Sequence, residues 1–205
     1  MFGTMELHIP KELETLKLPD PGLLEYYALA KHRIFYLEDD ICCGAIELQK
    51  AITLINIADA GKPVEERVPI MIYINSDGGD LSMSFTIAAS IKISKTPVWT
   101  CNLGNASSGA FLVLISGHKR FAFENSEAMI HELSAGTGGT MTQIDERTKF
   151  LKKQQEKAKA HVLKHTQITE ASFKKNVKKD WFLSDTEQVE LGVVDRVVES
   201  IEEII

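Results

Sequence analysis

The chain has 205 residues, of which 44% are hydrophobic, 25% charged and 7% aromatic, and its formal net charge is -6. That length allows one domain with a full core, and the composition is that of a soluble globular protein. The acidic balance argues against a nucleic-acid partner, which usually leaves a basic footprint, and no apolar run reaches the length of a membrane span.

The start, MFGTMELHIPKELETLKLPDPG, is polar and lacks the apolar stretch of a secretory signal. With Pro19 and Pro21 and little periodicity, residues 1–27 predict an extended or mobile N-terminal arm, and residues 28–205 a single domain. HRIFYL (32–37) reads as a strand, and an apolar face of Ile41, Ala45, Leu48, Ile52 and Ile55 predicts a helix from Asp39 or Asp40 to about Ala60. VPIMIYIN (68–75) is nearly all apolar, as in a strand buried on both faces of a parallel sheet. SDGGD (76–80) is a sharp turn; a helix over about 81–94 follows, then the strand VWTCNLG (98–104). ASSGAFLVLISG (106–117) opens another helix, HKRFAF (118–123) and EAMIHEL (127–133) read as strands, and SAGTGGT (134–140) is glycine-rich. A polar helix over about 141–166 carries too much charge to be buried and predicts an element that projects or packs on another chain. A short helix (169–178) and a strand (193–199) close the chain. Strands alternating with helices give an α/β fold with right-handed crossovers.

Cys42, Cys43 and Cys101 cannot all pair and read as buried, reduced thiols of a cytoplasmic chain. Neither CxxC nor HExxH spacing occurs, so no metal is expected, and no other cofactor is implied. His161 and His165 would share a helix face and could bind a metal, but Lys157, Lys159 and Lys164 favour a solvated face there.

Twice a buried strand runs into a glycine or serine turn and then a helix, and such strand ends line the ligand crevice of a parallel sheet. A phosphate cradle fits poorly, because SDGGD matches no phosphate-loop pattern and Asp77 and Asp80 would repel the ligand. Ser107, Ser108 and Gly109 read either as a helix N-cap or as a nucleophile with backbone N–H groups beside it. A nucleophile needs a base and a group to orient that base. His131, alone among the six histidines, lies in a short apolar run, where it is either a base or a satisfied core residue. Asp180, before Trp181 and Phe182, is either a half-buried orienting carboxylate or an ordinary helix-end aspartate.

INSDGG, GNASSGAFLVLISG, KRFAFENSEAMIH and DWFLSDTEQVELGVVD, in this order, resemble the proteolytic subunit of the Clp protease over about residues 28–199. The resemblance implies the crotonase-like fold with repeated β-β-α units and a projecting handle helix, and a Ser-His-Asp triad hydrolysing unfolded polypeptides and short peptides. Its ungapped register makes Ser108 the nucleophile; a gapped register would choose Ser107. A gap inside a buried strand or helix would turn every later side chain off its face, which favours Ser108. His131 then matches the base, Asp180 the third member, and Gly79 and Gly109 the oxyanion donors. The family turn usually reads Ser-Pro-Gly-Gly, so Asp77 predicts a less rigid turn here, and Gly109 stands where a larger residue is common.

By the same resemblance, residues 133–166 form the handle that joins two stacked heptameric rings into a homo-oligomer of fourteen. Backbone groups of Asp80, Leu81, Leu133, Ser134, Ala135 and Gly136 would pair with extended substrate as an added strand. The N-terminal arm resembles the axial entry loops. No nucleotide motif occurs, so the unfoldase, a AAA+ Clp ATPase, would be a separate protein. Two rivals are a crotonase-fold acyl-CoA enzyme, which needs no serine, and a non-catalytic ring subunit.

Overall fold

The structure, a computed structural model, describes residues 21–42 and 45–204. Cys43 and the arm as far as residue 20 lie outside the described residues. Two compact units are present, the first ending at His32 and the second beginning at Arg33. In the first, Pro21–Lys31 forms a helix (α1), so this stretch is not the extended arm expected from its prolines. Pro21 sits at its first position, where a missing N–H costs nothing and the fixed φ suits the helix.

The second unit alternates strand and helix. β1 is Ile34–Ile41, α2 Ala45–Ala58, β2 Ile70–Gly79, α3 Leu81–Ile93, β3 Val98–Ser107, α4 Gly109–Leu114 and β4 Lys119–Ala122. β5 (Glu127–Ile130), α5 (Met141–His165), α6 (Glu170–Asn176), β6 (Trp181–Leu183), α7 (Asp185–Glu190) and β7 (Arg196–Val197) follow. The sheet runs β1-β2-β3-β4-β7 with parallel neighbours, and β5 pairs in parallel with the far end of β3. Only β6, against β5, is antiparallel.

Ile70, Ile72 and Ile74 of β2 are fully buried, and so are Ile87 and Ile91 of α3 and Phe111, Val113 and Leu114 of α4. Met71 and Tyr73, on the opposite face of β2, are buried as well, so both faces are covered, which is why its sequence is a continuous apolar run. Inside the sheet, Asn102 donates to Gln188 Oε1 (3.0 Å) and to the Glu127 carbonyl (2.9 Å), while Gln188 donates to the Ser126 carbonyl (3.0 Å). Each amide finds partners, so the network fastens α7 and the C-terminal segment to β3 and β5 at no desolvation deficit. At the other edge, Arg33 forms a fork with the fully buried Asp59, joined by Lys62 and Thr96. The guanidinium contact drives the Asp59 carboxyl well below the ordinary carboxylate range.

α5 has one buried residue, Val162, among its 25, as its polarity predicts. Thr140 and Gln143 close a reciprocal capping box at its start, which satisfies two otherwise orphaned N–H groups. The β1 boundary differs from the pattern-based one: Asp39, Asp40 and Ile41 continue the strand along Gly78 and Gly79, and α2 starts only at Ala45. Cys101 is buried, its thiol pushed up to about 12 by desolvation, whereas Cys42 is exposed, contrary to the reading of all three cysteines as buried.

Candidate active site

The site grows from strand register. Ser76 of β2 pairs with Ala106 of β3, so the turn closing β2 lies beside the end of β3. Ser107 pairs with Met129 of β5, and the next N–H, of Ser108, donates to the Met129 carbonyl (2.8 Å). β5 and β6 pair Ala128 with Leu183, Met129 with Phe182 and Ile130 with Trp181. Carried one step further, that register sets Asp180 opposite His131. Three residues far apart in the chain meet because three strand ends meet.

Ser108 has φ 53° and ψ -114°, a conformation unfavourable for a residue with a Cβ. Its hydroxyl makes no capping bond to α4. It lies instead 2.8 Å from His131 Nε2. The other nitrogen of that ring, Nδ1, is 3.6 Å from Asp180 Oδ1. Ser107 is turned away: it is buried, and its hydroxyl donates to Asn105 Oδ1 (2.6 Å). His131 follows the last residue of β5 rather than lying within the strand, and is partly exposed. The Asp180 side chain is 62% exposed, not half-buried as its apolar neighbours suggested.

The two glycines are forced by close backbone approach. Gly78 has φ 98°, and a Cβ there would fall 2.5 Å from the Ser107 carbonyl oxygen and 2.7 Å from the Gly109 nitrogen. Gly79 has φ 139°, and a Cβ would strike the Ile41 carbonyl at 2.5 Å. Gly109 is buried, and a Cβ on it would meet Ser84 Oγ at 2.4 Å and the Gly79 nitrogen at 3.4 Å. The oxyanion-type pair, Gly79 and Gly109, thus stands together beside Ser108.

A cavity of about 190 Å³ opens at these residues, with Leu81, Leu112, Ile130, Val162 and Phe173 among its walls. Leu133 and Ser134 also line it, while Ala135 and Gly136 continue the exposed loop beyond. Two donors of the expected substrate edge are already engaged. The Leu133 N–H donates to Gln155 Oε1 (2.7 Å) and the Asp80 N–H to the Ile41 carbonyl (2.8 Å). Asp80 also caps α3, its carboxylate accepting from Met83 N–H (2.8 Å).

Asn105, Gln155 and Ser84 were absent from the sequence-derived site. Asn105 and Gln155 act through hydrogen bonds to residues distant in the chain and Ser84 through packing against Gly109, and no spacing rule signals these. His161 and His165 do share a face, with rings 4.4 Å apart, yet His161 is partly buried rather than on a fully solvated face: its Nε2 lies 2.9 Å from Ser116 Oγ. No group of three or more His, Cys, Asp or Glu able to hold a metal occurs among the described residues. Among the same residues, no helix is long and apolar enough to cross a membrane.

A largely parallel α/β sheet whose strand ends bring a hydroxyl, an imidazole and two glycines to one cleft suits hydrolytic acyl chemistry. The family model for Clp protease matches residues 25–201, and the chain belongs to that peptidase family. It is 33% identical over 138 residues to the ATP-dependent Clp protease proteolytic subunit 2 of Treponema denticola, covering 66% of this chain and 69% of that protein. The namesake subunit of Treponema pallidum is 30% identical over 64% of this chain and 67% of its own length. Proteolytic subunit 1 of Streptomyces avermitilis is 34% identical over 68% and 65%.

Proposed function

We propose that the chain is a serine endopeptidase that cuts unfolded polypeptides and short peptides through an acyl-enzyme. The observation that carries this is the 2.8 Å contact between His131 Nε2 and Ser108 Oγ, at a strained corner facing a cleft. The Ser108 proton passes to His131 as the oxygen attacks the scissile carbonyl. The N–H groups of Gly79 and Gly109 hold the oxyanion, each such donor being commonly worth about 3 kcal/mol. Asp180 keeps the Nδ1–H tautomer and stabilises the imidazolium. His131 returns the proton to the leaving amine, then activates a water that releases the acid. The apolar cavity walls suit an apolar side chain next to the cut bond. The main chain of an extended substrate adds as a strand along Leu81 and the segment from Leu133 to Gly136, through the groups not already engaged.

In this reading the polar helix α5, with the glycine-rich segment before it, is a handle joining two heptameric rings around a closed chamber. A separate ATP-driven Clp unfoldase then feeds the chamber, in keeping with the ATP dependence in the relatives' names. The setting is cytoplasmic, and residues 28–205 act as one protease domain. A fluorophosphonate probe should label one serine, lost in Ser108→Ala and kept in Ser107→Ala. Labelling that survives Ser108→Ala would overturn the assignment. Native mass should show a species of about fourteen subunits; a persistent monomer would remove the chamber.

A further inference from the structure

We infer that Asp77 and Asn105 are positioning residues that lock the oxyanion turn against the nucleophile strand, an inference that rests on the serine-peptidase reading above. The turn Ser76–Gly79 is tied on one side to β1: the Ser76 hydroxyl donates to the Asp39 carbonyl and accepts from the Gly78 N–H (3.1 Å). On the other side it is tied to β3. Asn105 Nδ2 donates to Asp77 Oδ1 (2.6 Å), Asn105 Oδ1 accepts from the Ser107 hydroxyl (2.6 Å), and Asn105 N–H donates to Asn75 Oδ1 (3.2 Å).

The chain of bonds has one workable direction. A carboxylate only accepts, so the Asn105 NH₂ must face Asp77, which leaves Oδ1 for the Ser107 hydroxyl. The Asp77 contact is charge-assisted and short. It spans two segments whose separation fixes the reaction geometry. Gly79 lies two residues after Asp77, and Ser108 is the residue after Ser107. Between them Gly78 is packed against Ser107, Ser108 and Gly109 with no room for a Cβ. A turn free to lift off β3 would move the Gly79 N–H away from the oxyanion. Asp77 therefore compensates, by a hydrogen bond, for the rigidity that a proline would supply at this position.

The test is a double-mutant cycle on a short fluorogenic peptide, with native mass measured in parallel. Asp77→Ala and Asn105→Ala should each lower kcat about tenfold with KM nearly unchanged, because the loss is felt by the oxyanion and not by ground-state binding. The double variant should be no slower than the slower single one, since either change breaks the same link. Asp77→Asn should recover to within about twofold, because its side-chain oxygen still accepts from Asn105. Multiplying effects, a rise in KM alone, or an Asp77→Asn variant as slow as Asp77→Ala would each overturn the inference. If Ser108→Ala keeps its activity, Ser108 is not the nucleophile and the reading on which this inference rests fails; if Ser108→Ala is inactive and the cycle is additive, only the positioning role fails.

Discussion

Two serine–histidine pairs of nearly equal length occur among the described residues. Ser108 lies 2.8 Å from His131, and Ser116 lies 2.9 Å from His161. Distance alone would call both reactive. Their proton arrangements are opposite. The Ser116 hydroxyl already donates to the Leu112 carbonyl (2.7 Å), so His161 must supply the hydrogen between them, and its Nε2 also approaches the Leu112 carbonyl at 3.3 Å. A histidine that donates through Nε2 cannot take the serine's proton there. Ser108 makes no such bond to its helix, so its hydrogen is free for Nε2 of His131, and Asp180 stands at the other nitrogen. Ser116 lies past the end of α4 without a positive φ, whereas Ser108 is held at φ 53° beside the oxyanion turn. The difference teaches that a nucleophile is recognised by where its proton can go and by what surrounds the oxygen.

The largest expected effect breaks the comparison directly. Ser108→Ala should lower kcat/KM for a fluorogenic peptide by about ten-thousand-fold or more, while Ser116→Ala should stay within about threefold. Equal losses at the two serines would erase the distinction. Asp180→Asn comes next. In a tight buried triad the third carboxylate contributes about ten-thousand-fold. Here the carboxylate is 62% exposed and 3.6 Å from its partner, so water screens the interaction and the expected loss is about ten- to a hundred-fold. Steady-state kcat with an unchanged KM would bear this out; a full ten-thousand-fold drop would mean that assembly closes the contact.

The glycine beside the nucleophile offers a smaller effect. Gly109→Ala should cost about tenfold in kcat, because its methyl group would sit 2.4 Å from Ser84 Oγ, in a fully buried place. Adding Ser84→Ala should restore most of the activity. The Asp80 carbonyl would then still accept from residue 84 through its backbone N–H (3.0 Å), so removing the hydroxyl opens space without orphaning its partner. A double variant no faster than Gly109→Ala would show that backbone freedom at 109, not the clash, sets the rate.

Much of this site was legible before any coordinates. The buried run IMIYI and the glycine turn after it announced a parallel strand end, and the ordered motifs selected Ser108, His131 and Asp180. Other features were not legible, for physical reasons. The exposure of Asp180 depends on β6 lying at the free edge of β5, which local apolar neighbours do not report. Asp39 to Ile41 read as a helix start because Ile41 fits the apolar face of the helix that follows, but pairing with Gly78 and Gly79 won. The lysines around His161 suggested a solvated ring, yet the ring turns onto Ser116, Lys157 lies over Phe85 and Lys159 pairs with Glu170. The Asp77–Asn105 bond depends on the β2–β3 register together with an irregularity after Ile74, which no spacing within either strand encodes.

The smallest effect tests the second pair through the pH dependence of stability. Burial, then His165, Lys164 and Lys157, push His161 down to about 4, and His165 is lowered by burial and by Lys164, Arg120 and Lys92. The sign follows from linkage. In the unfolded chain a histidine takes its proton near about pH 6.5. Folded His161 stays neutral until about pH 4, so between these values the unfolded state binds more protons. The contribution of His161 to stability is therefore complete above about pH 6.5 and declines as the pH falls toward about 4. Urea unfolding of wild type and His161→Leu, followed across that window, isolates it from carboxylates common to both. The wild type should lose stability more steeply than the variant, and peptide cleavage at pH 7.5 should be within about threefold in the two. Parallel stability curves would mean that His161 takes its proton as readily folded as unfolded, and the second serine–histidine pair would then not be the proton-locked contact that sets it apart from the first.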